Sequence, residues 1–263
     1  MTTVSVEQQV SCRVLGPLEL EVDGEALPVN GVQARRLLAA LVLADSRPVA
    51  DLELADLMWP SGWPENARKA LRVQVWRLRT ALGPAGEQLE RTPSGYRFTV
   101  ATDHHWFSDL VSSGLYRLSI RDAAGAIQDL DAALGLWRGE PWQDLAGSPA
   151  VAGARTRLVE LHQLALEEVE AARLAFGNPW VALRSLTQLV AASPYRERRW
   201  ELLALACLQT GQAERAGAEL RRFRALLADE LGLDPGPALV ALERRLVAPP
   251  RAPRPRPAAW RWR

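Results

Sequence analysis

Between Asn66 and Thr80 the chain carries five cations, Arg68, Lys69, Arg72, Arg77 and Arg79, and no carboxylate. Uncompensated guanidinium and ammonium groups suit a polyanion: they donate to phosphate oxygens, and Arg or Lys can also donate to O6 and N7 of guanine. Spacing sorts them. Lys69, Arg72, Val73 and Trp76 follow i, i+3, i+4, i+7 and so share one helical face, with Arg68, Arg77 and Arg79 on its flanks. A helix that enters a major groove N-terminal half foremost offers Arg68, Lys69, Arg72 and Val73 to base edges and Arg77 and Arg79 to phosphates. Val73 can touch a thymine methyl. Trp76, deeper along the face, either reaches the bases or packs against a sugar or a neighbouring copy. Without further context, the same face reads equally as an ordinary solvated one.

Other chemistry is poorly supplied. Lys69 is the sole lysine and stands in Ala-Arg-Lys-Ala, which rules out a Walker-type phosphate loop. His104 and His105 are adjacent and His162 is remote, so none has the spacing of a zinc helix. No Gly-x-Ser-x-Gly elbow occurs, and Asp129 and Asp131 fall on different faces of one helix. Trp137, Trp142, Trp180 and Trp200 read as core at helix joints rather than as a ligand pocket. The expectation is a protein that is not an enzyme, with no cofactor and no metal.

The basic helix needs a core behind it. Ala67, Leu71, Val75, Leu78 and Leu82 form an apolar stripe on its other side, and the flanking segments supply the partners. Cys12 to Leu20 and Glu21 to Val29 read as strands around turns at Gly16-Pro17 and Asp23-Gly24. Asn30 is placed to cap a helix running to Ala44 with Ala34, Leu37, Leu38, Leu41 and Val42 inward, and Asp51 to cap a shorter one to Met58. Trp59-Pro60-Ser61-Gly62-Trp63-Pro64 breaks the helical pattern. After the basic helix, Gly83-Pro84 stops it, and Leu89 to Thr92 and Tyr96 to Val100 form a hairpin across Pro93-Ser94-Gly95. Three helices and a hairpin, the third helix basic, is the order of a winged helix-turn-helix.

From Asp103 to Ala248 the periodicity is helical. The predicted helices are Phe107 to Ser119, Asp122 to Trp137, Pro149 to Phe176, Pro179 to Ala191, Tyr195 to Thr210, Gln212 to Glu230 and Pro235 to Leu246. Trp200, Leu203, Ala204 and Cys207, then Ala216, Leu220 and Phe223 after Gly211, keep the spacing of a tetratricopeptide unit. The fold class is therefore mainly α with a small β component: an N-terminal winged helix-turn-helix followed by a tetratricopeptide-like helical domain.

Composition agrees with two domains. The chain has 263 residues, 48% of them hydrophobic, and a net charge of +1. With the whole-chain field nearly neutral, polyanion affinity must come from a local patch. The strong preference for Arg over Lys reads as the codon usage of a GC-rich bacterial genome. Cys12 and Cys207 suggest no disulfide framework, the polar start has no signal-peptide core, and no run approaches a membrane span. A reduced, cytoplasmic protein without membrane contact is expected. Residues 1 to 11 read as a flexible N-terminus, and the Pro, Arg and Ala tail from 249 to 263 as disordered.

Particular motifs carry a family resemblance. Val14-Leu15-Gly16-Pro17-Leu18-Glu19, Ala67-Arg68 through Arg77-Leu78-Arg79-Thr80-Ala81-Leu82-Gly83, and Pro93-Ser94-Gly95-Tyr96 make residues 12–102 resemble the OmpR-like DNA-binding domain of the Streptomyces antibiotic regulatory protein family. Leu136-Trp137-Arg138-Gly139-Glu140-Pro141 and Asp229-Glu230-Leu231-Gly232-Leu233-Asp234-Pro235-Gly236-Pro237 resemble the bacterial transcriptional activation domain that follows it, here residues 103–248. No receiver domain precedes the winged helix and no ATPase domain follows the helices, so the chain reads as a small, stand-alone member.

The resemblance implies a transcriptional activator, with double-stranded promoter DNA and RNA polymerase holoenzyme as partners. Two protomers would bind direct repeats side by side and control a secondary-metabolite gene cluster. It assigns Trp59, Pro60, Ser61, Gly62 and Trp63 to contact with the polymerase sigma factor; the alternative is that the tryptophans cap the domain core. It also allows part of the Arg77–Arg79 pair to hold wing and helix together. Family members often place an Arg three residues before the wing glycine, where Thr92 stands here. Either Arg91, one residue earlier, enters the minor groove, or the wing touches backbone through Thr92 and Tyr96. Tyr96 reads equally as core, and Arg97 as exposed, because it alternates with Tyr96 and Phe98. Two other readings stay open: a ligand-responsive repressor, and a tetratricopeptide-type peptide-binding adaptor.

Overall fold

The computed structural model describes residues 9–145 and 147–247, so the expected disorder of 249–263 falls outside the described residues. Contacts divide the chain into two compact units that meet at Val169 and Glu170, inside one long helix. Each unit has its own core.

The first unit opens with strands β1 (Val10–Arg13), β2 (Glu19–Val22) and β3 (Glu25–Leu27), paired antiparallel. Val10, Cys12 and Leu20 face the core while Ser11, Arg13, Glu19 and Glu21 face outward, the period of two that a half-buried sheet requires. Asp23 and Gly24 both have positive φ, as a tight hairpin turn demands. The expectation of a flexible segment through residue 11 is corrected, because Val10 and Ser11 belong to β1. The turn expected at Gly16-Pro17 separates β1 from β2: Val14, Leu15 and Leu18 leave the ladder and bond to residues far along the chain. A two-residue strand, β6 (Ala101–Thr102), runs parallel to β1 and closes the order β3-β2-β1-β6. Nothing in the alternation had marked it.

Helices α1 (Val32–Leu43), α2 (Asp51–Met58) and α3 (Ala67–Leu82) follow, and then the wing strands β4 (Leu89–Thr92) and β5 (Gly95–Phe98). Leu37, Leu38, Leu41 and Val42 of α1, Leu54 and Met58 of α2, and Leu71, Val75, Leu78 and Leu82 of α3 are buried in one cluster with the sheet. The caps differ from those expected. Gly31, not Asn30, precedes α1, and Ala50 precedes α2, leaving Asp51 as its first helical residue. The Asp51 side chain is occupied elsewhere, with Arg91. Asn66 does cap α3, accepting from the Lys69 amide at 3.1 Å.

Helices α4 (Asp103–Ser119), α5 (Ala123–Gly135) and the first part of α6 (Pro149–Phe176) complete this unit around Phe107, Val111, Leu130, Ala133, Leu158, Ala165 and Val169. Gly114 lets α4 and α5 approach closely: a Cβ there would sit 2.6 Å from Leu130 Cγ. The segment joining α5 to α6 packs back on the first sheet. Arg138 donates its amide to Leu15 O at 2.8 Å, Trp142 to Val14 O at 2.9 Å and Gln143 to Gly16 O at 3.1 Å. Trp142 is 1% exposed, within the cluster formed by the sheet and α1–α3. From the other direction the Asp103 carboxylate, 3% exposed, accepts from the amides of Val14 at 2.7 Å and Leu15 at 3.2 Å. This explains why α4 begins at Asp103 rather than Phe107.

The second unit comprises the end of α6, then α7 (Pro179–Ala192), α8 (Glu197–Gln209), α9 (Ala213–Leu231) and α10 (Pro237–Val247). All seven residues of the tetratricopeptide pattern, Trp200, Leu203, Ala204, Cys207, Ala216, Leu220 and Phe223, are buried together. Trp200 and Phe223 pack with ring centroids 5.2 Å apart. Among the described residues, no helix is long and apolar enough to cross a membrane.

Candidate nucleic-acid interface

The buried stripe of α3 leaves its opposite face outward. Arg68, Lys69, Arg72 and Arg77 are exposed, and among the described residues none has a carboxylate partner in an ion pair. Val73 is 38% exposed and Trp76 65%, large apolar surface set among cations. A Trp held in water on a charged ridge gains nothing from folding, so its surface is available to a partner.

Arg79 is used differently. Its Nε donates to Leu89 O at 2.8 Å, with Nη2 reaching the same carbonyl. One guanidinium thus ties the last turn of α3 to the first residue of the wing, which is the alternative the resemblance allowed.

The wing is anchored through its backbone. Val49 and Tyr96 exchange two hydrogen bonds, at 2.8 and 2.9 Å. Gly95 has φ +148, and a Cβ there would lie 1.9 Å from Val49 O, so only glycine fits. Tyr96 is buried in the core, while Arg97 is half-buried and pairs with Glu90 at 2.5 Å. Thr92 is half-buried at the wing tip, its Oγ1 donating to Gly95 O at 3.2 Å. Arg91 lies over the Tyr96 ring, its Cζ 4.5 Å from the centroid, and forms an ion pair with Asp51. That carboxylate, by hydrogen bond first, raises the Arg91 pKa and holds the charge in place.

In the loop between α2 and α3, Trp59 packs half-buried against the core, and Pro60, Ser61 and Gly62 are exposed. Trp63 is 48% exposed and its Nε1 donates to Asp56 Oδ1 at 3.0 Å. A cleft of about 360 Å³ beside it is lined by Asp51, Leu52, Ala55, Trp63, Asn66 and Arg68, among others. The two tryptophans therefore divide the roles foreseen for them, Trp59 as cap and Trp63 as surface. Sequence reasoning missed Asp51 and Glu90, the acids that hold Arg91 and Arg97. Glu90 faces Arg97 across the hairpin, so the register of the expected wing could have found that pair, whereas Asp51 lies 40 residues from Arg91 and no local pattern marks it.

Winged helix followed by stacked helical hairpins defines a two-part regulator, and comparison places it more closely. A family model described as "Bacterial transcriptional activator domain" matches residues 102–247, more than half of the chain. The regulatory protein EmbR of Mycobacterium tuberculosis is 33% identical over 253 residues, covering 93% of this chain and 65% of EmbR. The regulatory protein AfsR of Streptomyces coelicolor is 38% identical over 238 residues, covering 89% of this chain and 24% of AfsR. The transcriptional regulator RedD of the same organism is 31% identical over 239 residues, covering 88% and 68% respectively. The solved structure of EmbR with a low-affinity phosphopeptide superposes with a TM-score of 0.86, covering 91% of this chain and 65% of that one. The chain belongs to the Streptomyces antibiotic regulatory protein family of transcriptional regulators. It spans about two thirds of EmbR and about a quarter of AfsR.

Proposed function

We propose that the protein is a sequence-specific, DNA-binding transcriptional activator, in which α3 enters the major groove and the wing lies along the adjoining backbone. One observation carries this: four cations, with Val73 and Trp76 among them, stand exposed and without acidic partners on a helix whose other face is locked into a core. Arg68, Lys69, Arg72 and Val73 face base edges, and Arg77 faces phosphate. Recruitment follows from the exposed loop, in which Pro60 to Trp63 meet the sigma factor of RNA polymerase. Paired protomers on direct repeats and control of a secondary-metabolite cluster, in a bacterial cytoplasm, complete the reading.

Salt titration of binding to a promoter duplex tests it. Neutralising at most about four phosphates per protomer, one for each free cation of α3, gives a log-log slope of about −3 to −4. A flat salt response refutes the interface. Arg72→Ala is expected to cost about 1–3 kcal/mol and to relax sequence preference; uniform weakening across sequences would make Arg72 a phosphate contact only. Recruitment is checked by reconstituted transcription with and without the protein, beside a footprint on the same promoter.

A further inference from the structure

Asp51 stands where α2, the start of α3 and the wing meet. It lines the cleft that also holds Arg68 and Asn66, and its Oδ1 pairs with Nη1 of Arg91 on β4. Neither side chain is sequestered, Arg91 being 48% exposed and Asp51 23%. The Tyr96 ring beneath the guanidinium supplies a second, weaker hold. The backbone keeps the two partners in reach, because the Val49–Tyr96 bridge ties the chain just before Asp51 to the strand opposite Arg91.

An acid at this place is unfavourable for an interface built on phosphate contacts. It costs little while Arg91 neutralises it. An ion pair this exposed is also weak, so a polyanion can take the guanidinium from it.

We propose that Asp51 is a competing carboxylate: it holds Arg91 in the free protein, and a duplex phosphate must displace it before the wing adds its charge to the interface. The inference rests on the DNA-binding reading above. When Arg91 turns to phosphate, the interface gains one cation but uncovers one anion, so the net electrostatic gain is close to nothing. Binding to every duplex is weakened alike, and base contacts from α3 decide which sequences are held. Asp51 is thus a positioning residue that acts through Arg91.

The test uses the full chain and its Asp51→Asn, Arg91→Ala and doubly substituted forms. Binding to two duplexes of unrelated sequence is followed by fluorescence anisotropy across a salt series. Asp51→Asn is expected to bind both duplexes about 3–10-fold more tightly, with a slope steeper by about 0.9, the increment for one further phosphate. Adding Arg91→Ala to it is expected to remove that increment. Unchanged or weaker binding by Asp51→Asn overturns the proposal, since a merely structural role for the pair would loosen the wing. A double variant that matches Asp51→Asn in affinity and slope also overturns it, because Arg91 then never reaches DNA. Wild-type protein that binds neither duplex sinks the DNA reading itself, and this proposal with it; wild-type binding with an unresponsive Asp51→Asn sinks the proposal alone.

Discussion

Replacing Gly95 by alanine tests how the wing is held. The added Cβ would lie 1.9 Å from Val49 O, 2.5 Å from its carbonyl carbon and 2.9 Å from Ala50 Cα. All three are backbone atoms, so no rotamer change relieves the overlap. The residue also sits at φ +148, where an L side chain is strained by about 1–3 kcal/mol. The cheapest escape is for the hairpin to swing off residues 49–50, which gives up both Val49–Tyr96 hydrogen bonds at about 0.5–1.5 kcal/mol each. Together these come to about 2–6 kcal/mol, a loss that falls on the wing rather than on the whole unit. Native-state hydrogen exchange reads it directly. The amides of Val49 and Tyr96 are expected to lose at least about 30-fold of their protection, while those of α8 in the second unit keep theirs. Binding to duplex DNA should weaken in parallel. If both amides exchange at the wild-type rate, the close approach of wing and chain does not anchor the hairpin, and the account of Gly95 is wrong.

Two further outcomes follow from buried groups. Trp142→Ala removes a side chain that is 1% exposed among the sheet and α1–α3, and is expected to cost about 3–5 kcal/mol in urea unfolding followed by tryptophan fluorescence; a loss below about 1 kcal/mol would mean that the segment joining α5 to α6 does not hold the first unit together. Burial pushes His104 down to about 4, with His105 adding repulsion and Asp45 opposing both. Between 6.5 and about 4 the folded chain binds fewer protons than the unfolded one, so stability is full above 6.5 and falls as pH drops through that window, by at most about 3 kcal/mol. His104→Gln is expected to flatten this part of the stability profile, and an unaltered profile would show that His104 is hydrated when folded.

Local patterns made some elements legible and not others. The limits of α6 agree at both ends with those read from the sequence, Pro149 and Phe176, because proline at the start and glycine after the end punctuate a long apolar period. The basic face of α3 was legible because its apolar stripe is unbroken from Leu71 to Leu82 and the cations fall on the other side. Strand β6 was not, since two residues carry no alternation and its pairing is with a strand about 90 residues earlier. The start of α4 was misplaced for the same reason: the Asp103 carboxylate satisfies amides 88 and 89 residues away, which no window of sequence can reveal. Among the candidate site residues, Arg68, Lys69, Arg72 and Arg77 stand as sequence reasoning placed them, outward on α3. Arg79 and Arg97 are half-buried and bonded to the wing itself, the one to Leu89 O and the other to its cross-strand neighbour Glu90, whereas Arg91 has a partner, Asp51, that only the fold brings near.

The return of residues 138–143 to the first sheet has a consequence for module exchange. Val14, Leu15 and Gly16 lend their backbone groups to Asp103, Arg138, Trp142 and Gln143, and Leu18 lends its amide to Asp144. A chimera spliced at the end of the wing would strand those donors and acceptors and empty the slot that Trp142 fills. Recombination among relatives must therefore transplant the winged helix together with its clasp, as a cassette extending through Leu145, or repair the clasp at the seam.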